Sequence, residues 1–312
     1  SFGNFYGPTT EANSHAILDA AMDAGITHID TSNVYGMGGS ESAIGTFFKA
    51  RGKSARDSFH IATKAGITKD ADGNRCYRND LDHLESELDQ SLARMGIDAV
   101  DLMYIHRRQA EMPIEEATGN LARLVEKGKA KSIGFSEIAP SSLRRAAAVH
   151  PVAAVQSEYS LSTRMPELGL VQTCAELGTA LVAFSPVGRS LLTDTPIAED
   201  VVPSLPFLST NPRFLQPNYA ANIAITDRFR ALAAEMSEPA AAVAIAWVLH
   251  KGDHIVPIPG TRSVAHFREL VRGTRLSLTE ADMTRIEETL PVGWAHGERY
   301  SKAQWVGPEQ YC

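Results

Sequence analysis

Short apolar runs, each closed by a polar residue, alternate with segments of helical spacing along almost the whole chain. Residues 11–24 carry apolar positions three and four apart, with Thr10 placed as an N-cap and Gly25 as a stop. A strand is predicted at 26–30, a helix at about 40–49 and a strand at 58–64. The segment 80–95 is strongly amphipathic: Leu81, Leu84, Leu88 and Leu92 share one face, Asn79 or Asp80 caps it, and Gly96 ends it. The pattern continues as strand 99–105, helix 114–127, strand 131–135, helix 140–148, strand 152–156, helix 166–177 and strand 179–184. After an irregular stretch at 186–217 come helices at about 218–235 and 239–250, a strand at 254–258, and helices at 263–271 and 280–289. Many of the strands are apolar without a break, as strands buried on both faces of a parallel sheet must be.

Two parallel-sheet architectures fit this alternation. The first strand is not followed by GxGxxG, so the signature of an open dinucleotide-binding sheet is absent. Polar residues end nearly every strand, namely Asp30, Lys64, His106, Ser136, Gln156 and Ser185. A closed barrel gathers those ends at one face, where active sites lie. The fold class expected is therefore α/β, a (β/α)8 TIM barrel, as a single domain over residues 1–312. Pro196, Pro203, Pro206, Pro212 and Pro217 stiffen the loop 186–217, which reads as a lid or binding loop. The loop and the C-terminal tail 291–312 are expected near the active-site face. The Ala-rich run 240–246 reads as helix-to-barrel packing.

Composition narrows the setting. With 312 residues, 44% of them hydrophobic, the chain can build one large core. It has no apolar stretch of about 18 residues, so no membrane span is expected, and no signal-peptide pattern follows Ser1. Cys76, Cys174 and Cys312 are scattered, without CxxC, which fits the cytoplasm and predicts neither disulfide nor zinc. No metal site is read from Asp98 and Asp101. The net charge of −7 argues against nucleic acid as a partner.

The strand ends at 26–36, 59–66 and 99–107 deliver Asp30, Tyr35, Lys64 and His106: an acid, a phenol, an amine and an imidazole. This set suits proton transfer to a carbonyl oxygen. A nearby ammonium makes the phenolate less costly, a carboxylate holds the ammonium, and the imidazole orients the substrate.

The segments DTSNVYG (30–36), ATKAG (62–66), YIHR (104–107), SIGFSE (132–137), VQSEYSL (155–161), FSPVGRSLLT (184–193) and IPGTR (258–262) together resemble the aldo/keto reductases, in family order. The resemblance implies a (β/α)8 barrel, reduction of a small-molecule aldehyde or ketone, and NADPH lying over the C-terminal strand ends. It implies Tyr35 as proton donor, Lys64 and Asp30 as its support, and His106 as the group that polarises the carbonyl. Ser136 and Gln156 match positions that bond the nicotinamide carboxamide, and Phe184 matches the residue stacked beneath the ring. Ser185, Pro186, Val187, Gly188, Arg189 and Leu191 match the segment folded over the pyrophosphate. Gly260, Thr261 and Arg262 match the pocket for the adenosine 2′-phosphate, with Ser263, His266 and Glu269 within reach, which favours NADPH over NADH.

Three departures stand out. Glu137 and Leu270 replace the Asn residues frequent in the family beside the carboxamide and the adenine. The chain also opens at SFGNFYGPT, which matches the segment after strand one, so the N-terminal hairpin and first strand are expected to be missing. Phe5, Tyr6, Phe207, Phe214, Trp294 and Tyr300 are candidates for an apolar substrate pocket; Trp294, His296 and Tyr300, in WAHGERY (294–300), either line its mouth or pack the C-terminal tail on the barrel. The expected state is a monomer or small homo-oligomer. Rival readings are a non-catalytic, NADPH-sensing regulatory subunit and a barrel enzyme using Lys64 as a Schiff-base nucleophile.

Overall fold

A computed structural model describes Phe2, Gly7 and residues 9–310. Strands β1 (His28–Asp30), β2 (His60–Ala65), β5 (Leu102–Ile105), β6 (Ile133–Ser136), β7 (Ala154–Glu158), β8 (Ala180–Phe184) and β9 (Ile255–Pro257) form one sheet. They pair in chain order and parallel throughout. Helices α1 (Glu11–Asp23), α2 (Gly39–Arg51), α4 (Leu81–Met95), α5 (Ile114–Glu126), α6 (Pro140–Ala147), α7 (Leu170–Leu177), α8 (Asn218–Glu235), α9 (Ala240–His250), α10 (Val264–Gly273) and α11 (Glu280–Thr289) surround it. This is the (β/α)8 barrel-like architecture, with seven sheet strands among the described residues. Across the interval between β9 and β1, the Asn13 side chain of α1 donates to the Arg262 carbonyl at 2.6 Å, tying the first helix to the turn before α10.

Local chemistry sets the ends of these elements. Thr10 caps α1 through the Asn13 N–H, and Asp80, not Asn79, caps α4 through the His83 N–H at 3.0 Å. Gly96 stops α4 with φ 65°, a conformation that favours a residue without Cβ. Helix α7 starts four residues later than its periodicity predicts. Pro166 and Gly169 (φ 132°) divide the segment, so 165–168 forms a separate 3₁₀ turn. Two elements were not foreseen: the short helix α3 (Lys53–Asp57) and a hairpin of β3 (Ile67–Lys69) with β4 (Arg75–Tyr77). Their few residues carry too short a pattern to register. The loop 186–217 is not structureless. It winds through short 3₁₀ turns and closes around a small core of Leu191, Val202, Leu205, Leu208, Phe214 and Tyr219.

The two faces of the sheet differ sharply. Outward residues such as Ile29, Ile61, Met103, Ile133, Val155 and Leu181 pack against the helices in one continuous core. Inward residues Ala62, Tyr104, Ala154 and Val182 fill the barrel. Period-two alternation puts Asp30, Lys64, Ser136 and Gln156 on this inner side, toward the C-terminal ends. Helix α9 is buried along most of its length, as the Ala-rich run predicts. No single helix among the described residues is long and apolar enough to cross a membrane.

Gly134 shows how tightly the interior is filled. A Cβ there would lie 2.6 Å from the Tyr104 ring and 2.7 Å from the Ala154 carbonyl oxygen. Gly134→Ala is therefore expected to lower unfolding free energy by about 1–3 kcal/mol, the range for overpacking. Urea melts read this, and an unchanged midpoint would show that the Tyr104 ring can move aside.

Candidate active site

Lys64 has no solvent exposure, and an unpaired ammonium there would be very costly. Its Nζ donates to Asp30 Oδ1 and, at 2.8 Å, to the Thr31 carbonyl. Burial alone would push the lysine pKa down. Asp30 and then Tyr35 more than reverse this, so it lies above the ordinary lysine value and the ammonium persists. The second Asp30 oxygen accepts from Gln156 Nε2 at 2.7 Å. Tyr104 lies beneath this pair; burial and then Asp30 raise its pKa well above the usual value, with Gln156 opposing, so it stays protonated.

Tyr35 sits half-buried in the turn after β1, its ring centroid 5.0 Å from Lys64 Nζ. His106 meets it edge-on, with ring centroids 5.8 Å apart and planes at 88°. Burial, with Arg107, Lys64 and Arg75, pushes the imidazole pKa well below its usual value. The ring is thus neutral near pH 7, and its Nδ1 lies 3.1 Å from Ser32 Oγ. The structure therefore brings Asp30, Tyr35, Lys64 and His106 together, as read from the strand ends.

The neighbouring residues hold charges that the sequence reading missed. Arg107 donates to the His106 carbonyl at 2.6 Å and to Ser136 Oγ at 3.0 Å. Glu137, at the end of β6, is a buried partner of Arg299. Burial would raise its pKa, but Arg299 and Arg107 hold it below the usual carboxylate range. Glu137 also accepts from Ser157 Oγ at 3.1 Å and the Glu158 N–H at 2.9 Å. Glu137 is thus committed to an ion pair with the C-terminal tail. Arg189 does not lie open for a phosphate. It is buried, donating to Glu158 Oε2 at 2.5 Å, with its guanidinium 5.0 Å from the Phe207 ring centroid. Arg213 joins from the same loop, 3.6 Å from Glu158. Burial lowers its pKa to about 10. Two signals pointed here: Glu137 as a departure, and Arg299 in the same short tail motif as Tyr300.

The proposed aromatic pocket dissolves into packing. Phe207 meets Tyr300 edge-on at 6.2 Å, Tyr300 meets Trp305 at 5.5 Å, and the Arg299 guanidinium covers both Tyr300 and Trp305. Phe214 stacks on Tyr219 in the loop core, and buried Trp294 donates to the Leu161 carbonyl at 2.8 Å. His296 is held through its backbone by Asn222. Phe5 and Tyr6 lie outside the described residues, as does Cys312. Cys76 and Cys174 are free thiols.

Around the strand ends, Phe184 is half-buried at the end of β8. In the run after it, Ser185, Gly188, Arg189 and Ser190 all have positive φ, between 50° and 87°. Three of these are not glycine, a concentration of backbone strain that marks functional segments. Gly260 and Arg262 are exposed and Thr261 half-buried, just before α10. Ser263 caps that helix through the N–H of exposed His266. Glu269 is half-buried on the helix, while Leu270 packs against Ala241 and Ile245. Among the described residues, no group of three His, Cys, Asp or Glu could hold a metal ion.

Among the described residues, seven parallel strands curl into a barrel-like sheet with a buried Lys–Asp pair beside a Tyr and a neutral His at their C-terminal ends, an arrangement of an oxidoreductase class. The aldo/keto reductase family model matches residues 1–291, and the chain belongs to that family. It is 38% identical over 299 residues to the aldo-keto reductase yakc [NADP(+)] of Schizosaccharomyces pombe, covering 95% of this chain and 87% of that one. It is 37% identical to a probable aldo-keto reductase 1 of Glycine max, over 96% of this chain and 85% of that one. Among solved structures, the glycerol dehydrogenase AKR11B4 of Gluconobacter oxydans superposes with a TM-score of 0.78 at 27% identity, covering 89% of this chain and 85% of the other. A thermostable aldo-keto reductase in complex with the inhibitor epalrestat gives 0.71 at 27% identity, over 91% of each chain.

The depressed His106 pKa has a consequence for stability. The unfolded histidine protonates near pH 6.5, while the buried ring resists the proton. This contribution is complete above pH 6.5 and is lost as pH falls toward the lower folded value. His28 and His83, also depressed chiefly by burial, share the sign. Unfolding free energy is expected to fall from pH 7 to pH 5, with a shallower slope in His106→Gln. Urea titrations at the two pH values check this; equal slopes would place the loss elsewhere.

Proposed function

We propose that this chain reduces an aldehyde or ketone with NADPH, Tyr35 giving the proton to the carbonyl oxygen. The observation that supports the reading best is the buried Lys64–Asp30 pair with Tyr35 and His106 beside it. An ammonium 5.0 Å from the Tyr35 ring centroid lowers the cost of the phenolate as the proton leaves. Asp30 keeps that ammonium charged and in place. A neutral His106 can hydrogen-bond the carbonyl oxygen without adding a second positive charge to the site.

The residues at the strand ends suit a nicotinamide cofactor, which supplies the hydride when bound. Ser136 Oγ already accepts from Arg107, so its own O–H is left to donate to a carboxamide oxygen. Gln156 donates an amide hydrogen to Asp30, and its amide oxygen is of a kind to accept from a carboxamide N–H. Phe184 offers a ring face. Ser185, Gly188, Arg189 and Ser190 have positive φ, and backbone that alternates in hand in this way suits an anion. Because Arg189 is paired with Glu158, the backbone rather than that guanidinium would meet the pyrophosphate. Exposed Arg262 beside the capped start of α10 suits a 2′-phosphate. The NADP(+) in the name of the fission-yeast relative supports the same choice. Free Cys76 and Cys174 accord with a cytoplasmic setting.

NADPH oxidation with a panel of aldehydes and ketones, against NADH, tests the reading. Turnover is expected with NADPH and one carbonyl class. Tyr35→Phe should keep cofactor affinity and lose turnover by about 10²–10⁴-fold, the range for a general acid. Near-normal turnover in that variant would remove Tyr35 from the proton step. Tight cofactor binding without turnover in the parent chain would favour a sensing subunit.

A further inference from the structure

A neutral imidazole carries one N–H, and which nitrogen holds it decides what the ring can do. To hydrogen-bond a carbonyl oxygen, His106 must present Nε2–H, so Nδ1 must be the acceptor. Nδ1 is 3.1 Å from the hydroxyl of Ser32, a residue with no solvent exposure. Ser32 Oγ has two other acceptors in range, the Lys64 carbonyl and Asn33 Oδ1, each at 3.3 Å. The Lys64 carbonyl is already served by the Asn33 N–H at 3.2 Å. On its other side, Ser32 Oγ accepts the Val34 N–H at 3.4 Å, which leaves its hydrogen free to turn to Nδ1. The backbone of His106 is pinned separately, its N–H donating to the Ala65 carbonyl at 2.8 Å. The charged groups around the ring, Arg107, Lys64 and Arg75, are all positive and oppose a second ring proton.

We infer that Ser32 is a positioning residue: its hydroxyl donates to Nδ1 of His106 and so fixes the Nε2–H tautomer that meets the substrate oxygen. The inference rests on the carbonyl-reductase reading for its purpose, but not for its geometry. Ser32 lies between Asp30, at the end of β1, and Tyr35 in the turn that follows, so one short segment supplies the proposed proton donor, the anchor of Lys64 and the orienter of His106.

Nitrogen NMR of the full chain with labelled histidine tests it, because two-bond couplings from the ring protons show which nitrogen is protonated. The expected result is Nε2–H at His106 in the parent chain and loss of that preference in Ser32→Ala. In the same variant kcat should fall about ten- to a hundredfold, the range for lost outer-shell orienting bonds, with cofactor affinity unchanged. Ser32→Cys, which keeps a weaker donor, should fall between. A parent chain with Nδ1–H overturns the inference, whether or not any variant folds. So does Ser32→Ala with unchanged tautomer and turnover. A chain with Nε2–H but no turnover with any carbonyl defeats the reductase reading and leaves the assignment of Ser32 standing.

Discussion

The burial of Lys64 is the constraint around which the upper half of the barrel is arranged. An ammonium without solvent exposure persists only if the fold supplies a counter-charge and acceptors. Asp30 supplies the charge, the Thr31 carbonyl a second acceptor, and Gln156 holds the far oxygen of Asp30. The pair joins neighbouring strands β1 and β2, and the bond from Gln156 of β7 forms only when the sheet has curled. Such pairs add little net stability over apolar packing, yet removing one partner leaves an uncompensated charge costing about 3–5 kcal/mol. An arrangement of that kind is easier to understand as a device for holding charge beside Tyr35 than as a source of stability.

A second buried charge cluster ties the long loop and the C-terminal tail to the strand ends. Glu137 and Glu158, from the ends of β6 and β7, meet Arg299 from the C-terminal tail and Arg189 and Arg213 from the long loop. Aromatic rings of Phe207, Tyr300 and Trp305 interleave with two of these guanidinium groups. Loop and tail are thus fastened to the strand ends rather than draped over them. Beyond the cluster, Glu309 pairs with Arg108 and accepts the Ala139 N–H at 2.8 Å, holding the tail against the start of α6. This fastening explains why the aromatic residues that looked available for substrate are packed together.

The alternation of elements and the four strand-end residues were legible in the sequence because both rest on local regularities. Strand ends in a barrel converge, so a polar residue closing an apolar run, such as Lys64 after residues 59–63, announces its own position. What was not legible depends on contacts distant in sequence. Arg299 and Glu137 are 162 residues apart, and nothing in either segment names the other. Arg189 looked like a phosphate ligand because its neighbours fit a known segment; only the fold shows Glu158 in its way. Gln156 was read for the cofactor alone, and its bond to Asp30 requires knowing that β1 and β7 face each other across the barrel. The hairpin β3–β4 and the 3₁₀ turns of 186–217 are too short to carry a period.

If the Lys64–Asp30 pair serves proton transfer at Tyr35, as proposed, turnover depends on the Asp30 charge. Steady-state carbonyl reduction by Asp30→Asn, measured on protein shown to be folded and to bind NADPH, tests it most directly. Asparagine keeps the shape but removes the charge that keeps Lys64 protonated. A fall in kcat of about a hundredfold is expected, on the scale of lost acid catalysis, with cofactor affinity retained. A kcat within a few-fold of the parent chain would contradict it, and would make the pair a feature of the barrel interior rather than of the chemistry.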